Sequence, residues 1–375
     1  MGPTILVTGA AGFVGKNLVQ ALRRQNDVTV LTYDLGDKRE GLELHLERAD
    51  LIYHLAGVNR PEHPEEFESG NVDLTRSITA SLQKSKRSPL VVFSSSVQAS
   101  LDNDYGRSKK RAEDALIQYS EPTGAPVRLY RLPNVFGKWS RPNYNSVVAT
   151  YCHNVARDLE ITISDPKREL ELVYIDDVVQ AFVSLISGRS GDTSVQWCTV
   201  TPTYTTTLDT LARTIRGFRD LRETLVLPDQ SDRFTRCLFA TYLSYLETNG
   251  FSYDLRTKVD QRGILAELLK SDHFGQIFVS RTNPGMVRGN HYHDTKIEKF
   301  CVLEGEAIIR FRPVASNKVI EYRVTGKDFR VVDIPPGYAH SIENVGATEM
   351  IVLFWANQKF DPDSPDTYPL EVLHG

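Results

Sequence analysis

Apolar and polar positions follow two different periods along the chain, and the change falls at Phe251. Before it, short apolar runs such as Ile5-Leu6-Val7 and Leu90-Val91-Val92-Phe93 are separated by stretches of helical spacing such as Lys16 to Leu22, and Val127 to Leu132 reads as another strand. Val28 to Thr32 reads as a further strand. An apolar run without alternation predicts a strand covered on both faces. Strands alternating with helices predict an α/β, Rossmann-type layer structure around a parallel sheet. After Phe251 the period is two. Gln276–Ser280, Lys299–Leu303, Ala307–Phe311, Val319–Val324, Phe329–Ile334 and Met350–Phe354 alternate, with Gly, Pro and Asn between them. That pattern predicts an all-β domain, an antiparallel double sheet or barrel. The expected domains are residues 1–248 and 249–375, and the stretch 203–245 reads as helices closing a substrate lobe.

The first apolar run passes directly into Thr8-Gly9-Ala10-Ala11-Gly12-Phe13-Val14-Gly15 and then into the helix pattern. Strand, glycine turn and helix make a phosphate-binding arrangement. Glycines admit a pyrophosphate close to the backbone, and the helix N-terminus offers N–H groups and the positive end of its dipole. Gly9, Gly12, Phe13, Val14 and Gly15 are therefore candidate cofactor-binding residues. The second strand ends at Tyr33-Asp34, with Lys38 and Arg39 just beyond. An acidic residue there binds ribose hydroxyls and favours NAD. It also suits an ordinary turn or helix cap, and both readings stay open.

After the Leu90 run come Ser94-Ser95-Ser96 and then Tyr105-Gly106-Arg107-Ser108-Lys109. Tyr and Lys four residues apart share one helix face. A phenol ionises near ~10, and a fixed cation beside it lowers that value, which makes Tyr105 a usable general acid or base. Ser96 stands where a hydroxyl can hydrogen-bond a substrate carbonyl. Ser96, Tyr105 and Lys109 are the candidate catalytic set for carbonyl reduction by a hydride donor.

Composition removes several classes of function. The net charge of −4 implies no nucleic-acid partner, and no apolar run approaches the ~20 residues of a membrane span. The N-terminus enters a strand at once, without a signal-peptide layout, and Leu6 stands where a myristoylation site wants Ser or Thr. Cys152, Cys198, Cys237 and Cys301 form no CxxC pair, the pattern of reduced thiols in a cytoplasmic protein.

The G-x-x-G-x-x-G spacing resembles the extended short-chain dehydrogenase/reductase (SDR) family. So do His54-Leu55-Ala56-Gly57, Asn71-Val72, the F-S-S-S run ending at Ser96, Pro133-Asn134-Val135-Phe136-Gly137 and Tyr174-Ile175-Asp176-Asp177-Val178. The resemblance implies that Leu55, Ala56, Gly57 and Pro133 join Asp34, Tyr105 and Lys109 around the cofactor. It implies catalytic roles for Ser96, Tyr105 and Lys109. Asn134 and, in the loop after Phe136, Lys138, Arg141 and Asn145 are candidate substrate-binding residues; a nucleotide-sugar diphosphate calls for such donors and for aromatics. One departure is plain: relatives insert a longer loop where Ser96 and Tyr105 here stand nine positions apart.

In the second half, Gly285, His291-Tyr292-His293, Glu298 and Gly305 are followed by Pro335-Pro336-Gly337-Tyr338-Ala339-His340 and Asn344. Residues i and i+2 of a strand face the same side, and three imidazoles with one carboxylate suit a divalent metal, zinc among them. The spacing resembles the cupin double motif, which implies a double-stranded β-helix or jelly roll with His291, His293, Glu298 and His340 as ligands. Gly326 lies further upstream of Pro335 than that motif's glycine does. Asp260-Gln261-Arg262-Gly263 and Glu267 resemble the opening segment of cupin-type deoxysugar epimerases.

With VNRPEHPEEF, NVFGKWSRPNYNSV and FDPDSPDTY, the whole chain resembles the bifunctional capsular-polysaccharide enzymes of the UDP-N-acetyl-L-fucosamine pathway. The resemblance implies two steps on a UDP-linked 2-acetamido-2,6-dideoxy-4-keto sugar. The cupin inverts carbon 3, and the SDR domain reduces carbon 4 with NADPH, giving the L-talose product. Asp34 sits uneasily with NADPH, so NADH stays open. A homodimer is implied by resemblance alone. A single-activity enzyme with a structural cupin, or a non-catalytic NAD(P)-binding protein, are the competing readings.

Overall fold

The structure, a computed structural model, describes residues 2–187 and 195–373. The chain forms two compact units, Met1–Arg216 with Cys237–Glu247 and Gly217–Arg236 with Thr248–Gly375. The expected cut at 248 therefore differs in one respect: Gly217–Arg236 groups with the second unit. Main-chain hydrogen bonds explain this. Lys270 N donates to Leu225 O and Leu227 N donates to Lys270 O, each at 2.7 Å, so the segment docks on a strand of that unit.

The strands of the first unit are β1 (Thr4–Thr8), β2 (Thr29–Tyr33), β3 (Leu51–His54), β4 (Leu90–Ser96), β5 (Val127–Leu132), β6 (Asn134–Phe136), β7 (Glu169–Tyr174), β8 (Val195–Cys198) and β9 (Thr203–Thr207). Six of them form a sheet in the order β2-β1-β3-β4-β5-β8, paired in parallel. The unbroken apolar runs now have their cause. Ile5 and Val7 face one core with helices Phe13–Leu22 and Ile175–Ser184, while Leu6 faces a second core with helices Leu74–Ser85 and Asp104–Thr123. The chain leaves β1 toward β2 and returns to β3 on its other side, so the strand order reverses beside β1. Ligands of open α/β sheets bind at the carboxyl ends of strands at such a point.

The second unit is all β, with β10 (Thr257–Asp260), β11 (Gly263–Ser271), β12 (Gly275–Thr282), β13 (Val287–Tyr292), β14 (Glu298–Glu304), β15 (Glu306–Pro313), β16 (Ile320–Thr325), β17 (Val331–Ile334), β18 (Tyr338–Asn344), β19 (Met350–Ala356) and β20 (Tyr368–Pro369). They make two antiparallel sheets, β10-β11-β12-β19-β14-β17 and β16-β15-β18-β13-β20. Alternation sets the inward face: Met350, Val352, Phe354 and Ala356 of β19 are buried, and Val352 and Phe354 pack with Phe300, Ile309 and Phe311. Both expected fold classes, the Rossmann-type α/β layer and the all-β double sheet, are present.

Candidate functional site

At the carboxyl end of β1, Gly9 has φ +69, and a Cβ there would come within 2.6 Å of Ala56 N. The turn thus lies against Leu55–Ala56 at the end of β3. A Cβ on Gly15 would sit 2.0 Å from Gly9 O, whereas one on Gly12 would meet the same oxygen only at 3.1 Å. Gly9 and Gly15 are needed by the chain's own packing; Gly12 is the glycine whose smallness serves the exposed face. Phe13 and Val14 open the helix, and no side chain caps it. Asp34 does not point only to solvent: its carboxylate accepts Ala11 N at 2.7 Å, which ties the end of β2 to the glycine turn. Burial raises its pKa, with Asp37 adding and Ala11 N opposing.

β4 runs past Phe93 to Ser96, whose hydroxyl accepts Gln98 N at 3.2 Å and starts a single turn, Val97–Ser100. Asn103 then caps the helix Asp104–Thr123 by accepting Gly106 N at 2.7 Å. A Cβ at Gly106 would lie 2.2 Å from Gln98 O. The missing side chain lets the helix pack directly on that turn, and this is how nine positions suffice to bring Tyr105 to Ser96. The Ser96 hydroxyl lies close enough to Tyr105 to oppose the rise of its pKa, and the phenol ring tilts against Phe67 at 6.0 Å.

Lys109 lies one turn further on, 4% exposed, with Nζ 4.3 Å from the Phe93 ring centre. Burial pushes its pKa down to about 8, against the pull of Glu113. Burial raises the Tyr105 phenol, against the Ser96 hydroxyl. The expectation that Lys109 lowers Tyr105 is therefore not met in the protein alone: burial raises the phenol and lowers the lysine. Pro133 follows β5, half-buried, and Gly57 is the place where an added Cβ would come within 3.6 Å of Lys109 Nζ.

Sequence reading missed Glu113. It lies four residues after Lys109, fully buried, and binds Ser95 Oγ at 2.5 Å and Arg131 Nε and NH2 at 2.9 and 2.7 Å. It thus joins the Tyr–Lys helix to the ends of β4 and β5. The signal was the same helical spacing, carried one turn further. His54 is also structural: its ring bridges Thr8 and Thr75 hydroxyls at 2.8 and 2.9 Å, and burial, then Lys109, lowers its pKa to about 3.

The four substrate candidates do not converge as a set. Asn134 Nδ2 donates to Glu171 O at 3.2 Å, and Lys138 Nζ pairs with Asp176 at 2.5 Å. Lys138 also lines a cavity of about 510 Å³ with Gln20 and Arg24 of the first helix. Arg141 stacks over Tyr144 at 5.0 Å, and Asn145 is exposed.

In the second unit a bulge brings the histidines together. Gly289 pairs with Ser341 and His291 with His340, so Asn290, at φ +59, is the extra residue. Gly289 has φ +91, and a Cβ there would sit 2.7 Å from His340 O. The bulge sets His291 opposite His340, with ring centres 4.6 Å apart; His293 lies 5.0 and 5.3 Å from them. Glu298 Oε2 stands 3.5 Å from both His293 Nε2 and His340 Nε2. Burial alone would raise the Glu298 carboxyl, but the two imidazoles facing it hold it at about 2. Burial, with His340 and His293, pushes His291 down to about 4.

The donor atoms of these four residues all lie within 4.8 Å of one another. His293 Nε2 and His340 Nε2 are buried with no hydrogen-bond partner, since 3.5 Å is too long for a good one. Each of these rings turns its Nδ1 to a backbone carbonyl, Asp366 O at 2.5 Å and Tyr338 O at 3.3 Å. The Nε2 lone pairs therefore face a common centre, and the residues present fit a divalent metal. Asn344 has a different task, donating to Thr282 O and Thr348 O at 2.8 Å each. Gly326 packs its turn on Glu304, where a Cβ would come within 2.5 Å.

A Rossmann-type unit with a glycine turn and a Ser–Tyr–Lys cluster, followed by a jelly roll with a His3Glu centre, defines a dinucleotide-dependent sugar-nucleotide enzyme class. The chain belongs to the NAD dependent epimerase/dehydratase family, whose model matches residues 5–195; residues 258–368 match the polysaccharide biosynthesis C-terminal domain. It is 43% identical over 372 residues, 99% of each chain, to the UDP-2-acetamido-2,6-beta-L-arabino-hexul-4-ose reductase of Pseudomonas aeruginosa. The crystal structure of the capsular polysaccharide assembling protein CapF from Staphylococcus aureus superposes with a TM-score of 0.91 at 44% identity, covering 98% of this chain and 99% of that one. The Bacillus subtilis spore coat polysaccharide biosynthesis protein SpsL is 26% identical over 117 residues, 28% of this chain and 78% of its own. The cofactor class of the first unit is a nicotinamide dinucleotide. Among the described residues, no helix is long and apolar enough to cross a membrane.

Proposed function

We propose that the protein is a bifunctional nucleotide-sugar enzyme of capsular polysaccharide synthesis. It epimerises carbon 3 of a UDP-2-acetamido-2,6-dideoxy-4-keto-hexose in the second unit and reduces the carbon-4 ketone in the first. The observation that carries the reading is the pairing, in one chain, of the Ser96–Tyr105–Lys109 cluster with the His291–His293–Glu298–His340 centre. The end-to-end similarity to a UDP-keto-sugar reductase supports the substrate class.

The dinucleotide on the glycine turn would supply a hydride. The chain's own residues then do the rest of the reduction. Tyr105 gives its phenolic proton to the carbonyl oxygen as the ketone becomes an alcohol. Ser96 aligns the phenol, and buried Lys109 restores the balance of charge beneath it. We assign NADPH as the donor, in keeping with the family resemblance. NADH is the second reading, and Asp34, whose carboxylate stands beside the glycine turn, favours it over a phosphorylated ribose. Rates with each cofactor at equal concentration separate the two.

In the second unit, His291, His293, Glu298 and His340 would hold the metal, zinc by preference. Such an ion supplies a Lewis acid that stabilises the charge left when a proton departs beside a ketone. Reduction removes the ketone that makes that proton acidic, so the second step preserves the stereochemistry set by the first. This gives a chemical reason to carry both activities on one chain. Purified protein incubated with the UDP-4-keto sugar in deuterated water tests the reading by NMR. Deuterium should enter carbon 3 without nicotinamide cofactor, and NADPH should then give a single reduced product. His291→Ala should stop the exchange and leave dinucleotide affinity unchanged. Exchange at an unchanged rate in that variant would assign epimerisation to the first unit. A homodimer is part of the same reading, and light scattering tests it.

A further inference from the structure

The C-terminal segment from Phe360 to Leu373 runs beside the strand that carries His291. β20 pairs with β13, His291 opposite Pro369 and Tyr292 opposite Tyr368, and the two tyrosine rings stack at 5.1 Å. Leu370 N donates to Asn290 O at 2.9 Å. Arg312, 4% exposed, donates to Glu371 O and Val372 O at 2.6 and 3.1 Å.

Within this strap Asp366 makes two kinds of bond. Its main-chain oxygen accepts His293 Nδ1–H at 2.5 Å. Its carboxylate accepts the N–H groups of Asp294, Thr295 and Lys296 at 2.9, 3.0 and 2.8 Å, and the Thr295 hydroxyl at 2.8 Å. Lys296, 5% exposed, completes the clasp through Nζ to Pro365 O at 2.7 Å. Asp366 has φ +44, a left-handed conformation that a non-glycine residue keeps only where its surroundings hold it. Here the carboxylate holds it, and the carbonyl is thereby aimed at the imidazole.

We propose that Asp366 is a positioning residue of the metal centre, its carbonyl setting the ring of His293 and its carboxylate locking that carbonyl to the 294–296 loop. A carbonyl only accepts, so His293 carries its proton on Nδ1 and turns the Nε2 lone pair inward. Partners of this kind orient metal-ligating imidazoles, and their loss typically weakens metal binding about 10–100-fold. The inference rests on reading the four-residue cluster as a metal centre.

The test measures zinc affinity of the full chain by competition with a chromophoric chelator. Asp366→Ala should bind zinc about 10–100-fold more weakly than wild type. Asp366→Asn, which keeps an acceptor oxygen and tolerates the left-handed backbone, should recover most of the loss. In a His293→Ala background Asp366→Ala should add nothing, because its effect passes through that ring. Wild-type affinity in Asp366→Ala overturns the proposal, as does an equal loss in both backgrounds. Wild type that binds neither zinc nor nickel overturns the metal reading and this inference together. A further measurement needs no variant. Long-range 15N NMR of the metal-free chain should show His293 protonated on Nδ1, and protonation on Nε2 overturns the proposal.

Discussion

In the first unit, a lysine with 4% exposure lies against Phe93, offset by a buried glutamate that also holds Ser95 and Arg131. In the second, a buried glutamate faces three imidazoles, two of which keep an unpartnered Nε2. The first cluster balances its charges with groups of the chain itself. The second brings three imidazoles and a carboxylate together in a donor set that fits a divalent cation. Unsatisfied buried donors and acceptors are costly, so the second arrangement persists because the two sheets and the C-terminal strap hold its residues in place. The contrast teaches that one chain can hold buried charge either by pairing it within the chain or by gathering donor atoms around a common centre.

The largest expected effect would separate the two units outright. Tyr105→Phe should lower reduction by about 10²–10⁴-fold, the usual worth of a positioned proton donor. Zinc affinity and carbon-3 exchange should stay at wild-type values. Loss of exchange in that variant would break the division of labour between the units.

Metal removal addresses the other side. At a zinc concentration 100 times its Kd, binding adds about 2.7 kcal/mol to the stability of a site that only the folded chain offers. Chelation should therefore lower the melting transition of the second unit while leaving that of the first in place. Calorimetry with and without chelator checks this, and two unshifted transitions would deny a metal.

The glycine turn gives a sharper, smaller test. Gly15→Ala must push a Cβ into Gly9 O, so it should destabilise the first unit by about 1–3 kcal/mol. Gly12→Ala meets only a 3.1 Å contact, so it should fold nearly as well and yet bind dinucleotide more weakly. Calorimetric titration beside thermal melts reads the two effects apart; equal behaviour of the variants would remove the distinction drawn between these glycines.

The smallest effect concerns pH. Reduction that needs charged Lys109 should fall as pH rises through about 8. The sign for stability is opposite. Burial lowers the folded value below the ordinary ~10.4, so between about 8 and that value the unfolded chain holds more protons, and this group alone makes stability rise with pH. Glu113 pulls Lys109 upward, so Glu113→Gln should move the alkaline limb of the rate profile to lower pH. A profile that does not move would make Glu113 a packing residue only.

Much of this was legible in the sequence wherever the information is local. The runs around Ile5 and Leu90 read as buried strands because both neighbours of a parallel strand are apolar layers. The alternation of Met350 to Phe354 read as a half-buried strand for the complementary reason. β13, the strand of His291, has no such signal: all six of its residues are half-buried, and a bulge interrupts it. The docking of Gly217–Arg236 on Lys270 was illegible too, since main-chain hydrogen bonds leave no trace in side-chain pattern.

By itself, the sequence determined which residues could act together through a short repeat. Tyr105 and Lys109 share a helix face, and the two-residue spacing of His291 and His293 marked them as partners, because helical and extended backbones repeat over a few residues. Tertiary structure alone decided what those residues become. Burial, not the Tyr–Lys pair, sets the direction of both pKa shifts. Lys138 turns to Asp176, Glu113 binds the ends of two strands, and Asp366 reaches across the chain to His293. Desolvation and long-range contact depend on what the whole fold brings near a group, and no local period encodes that.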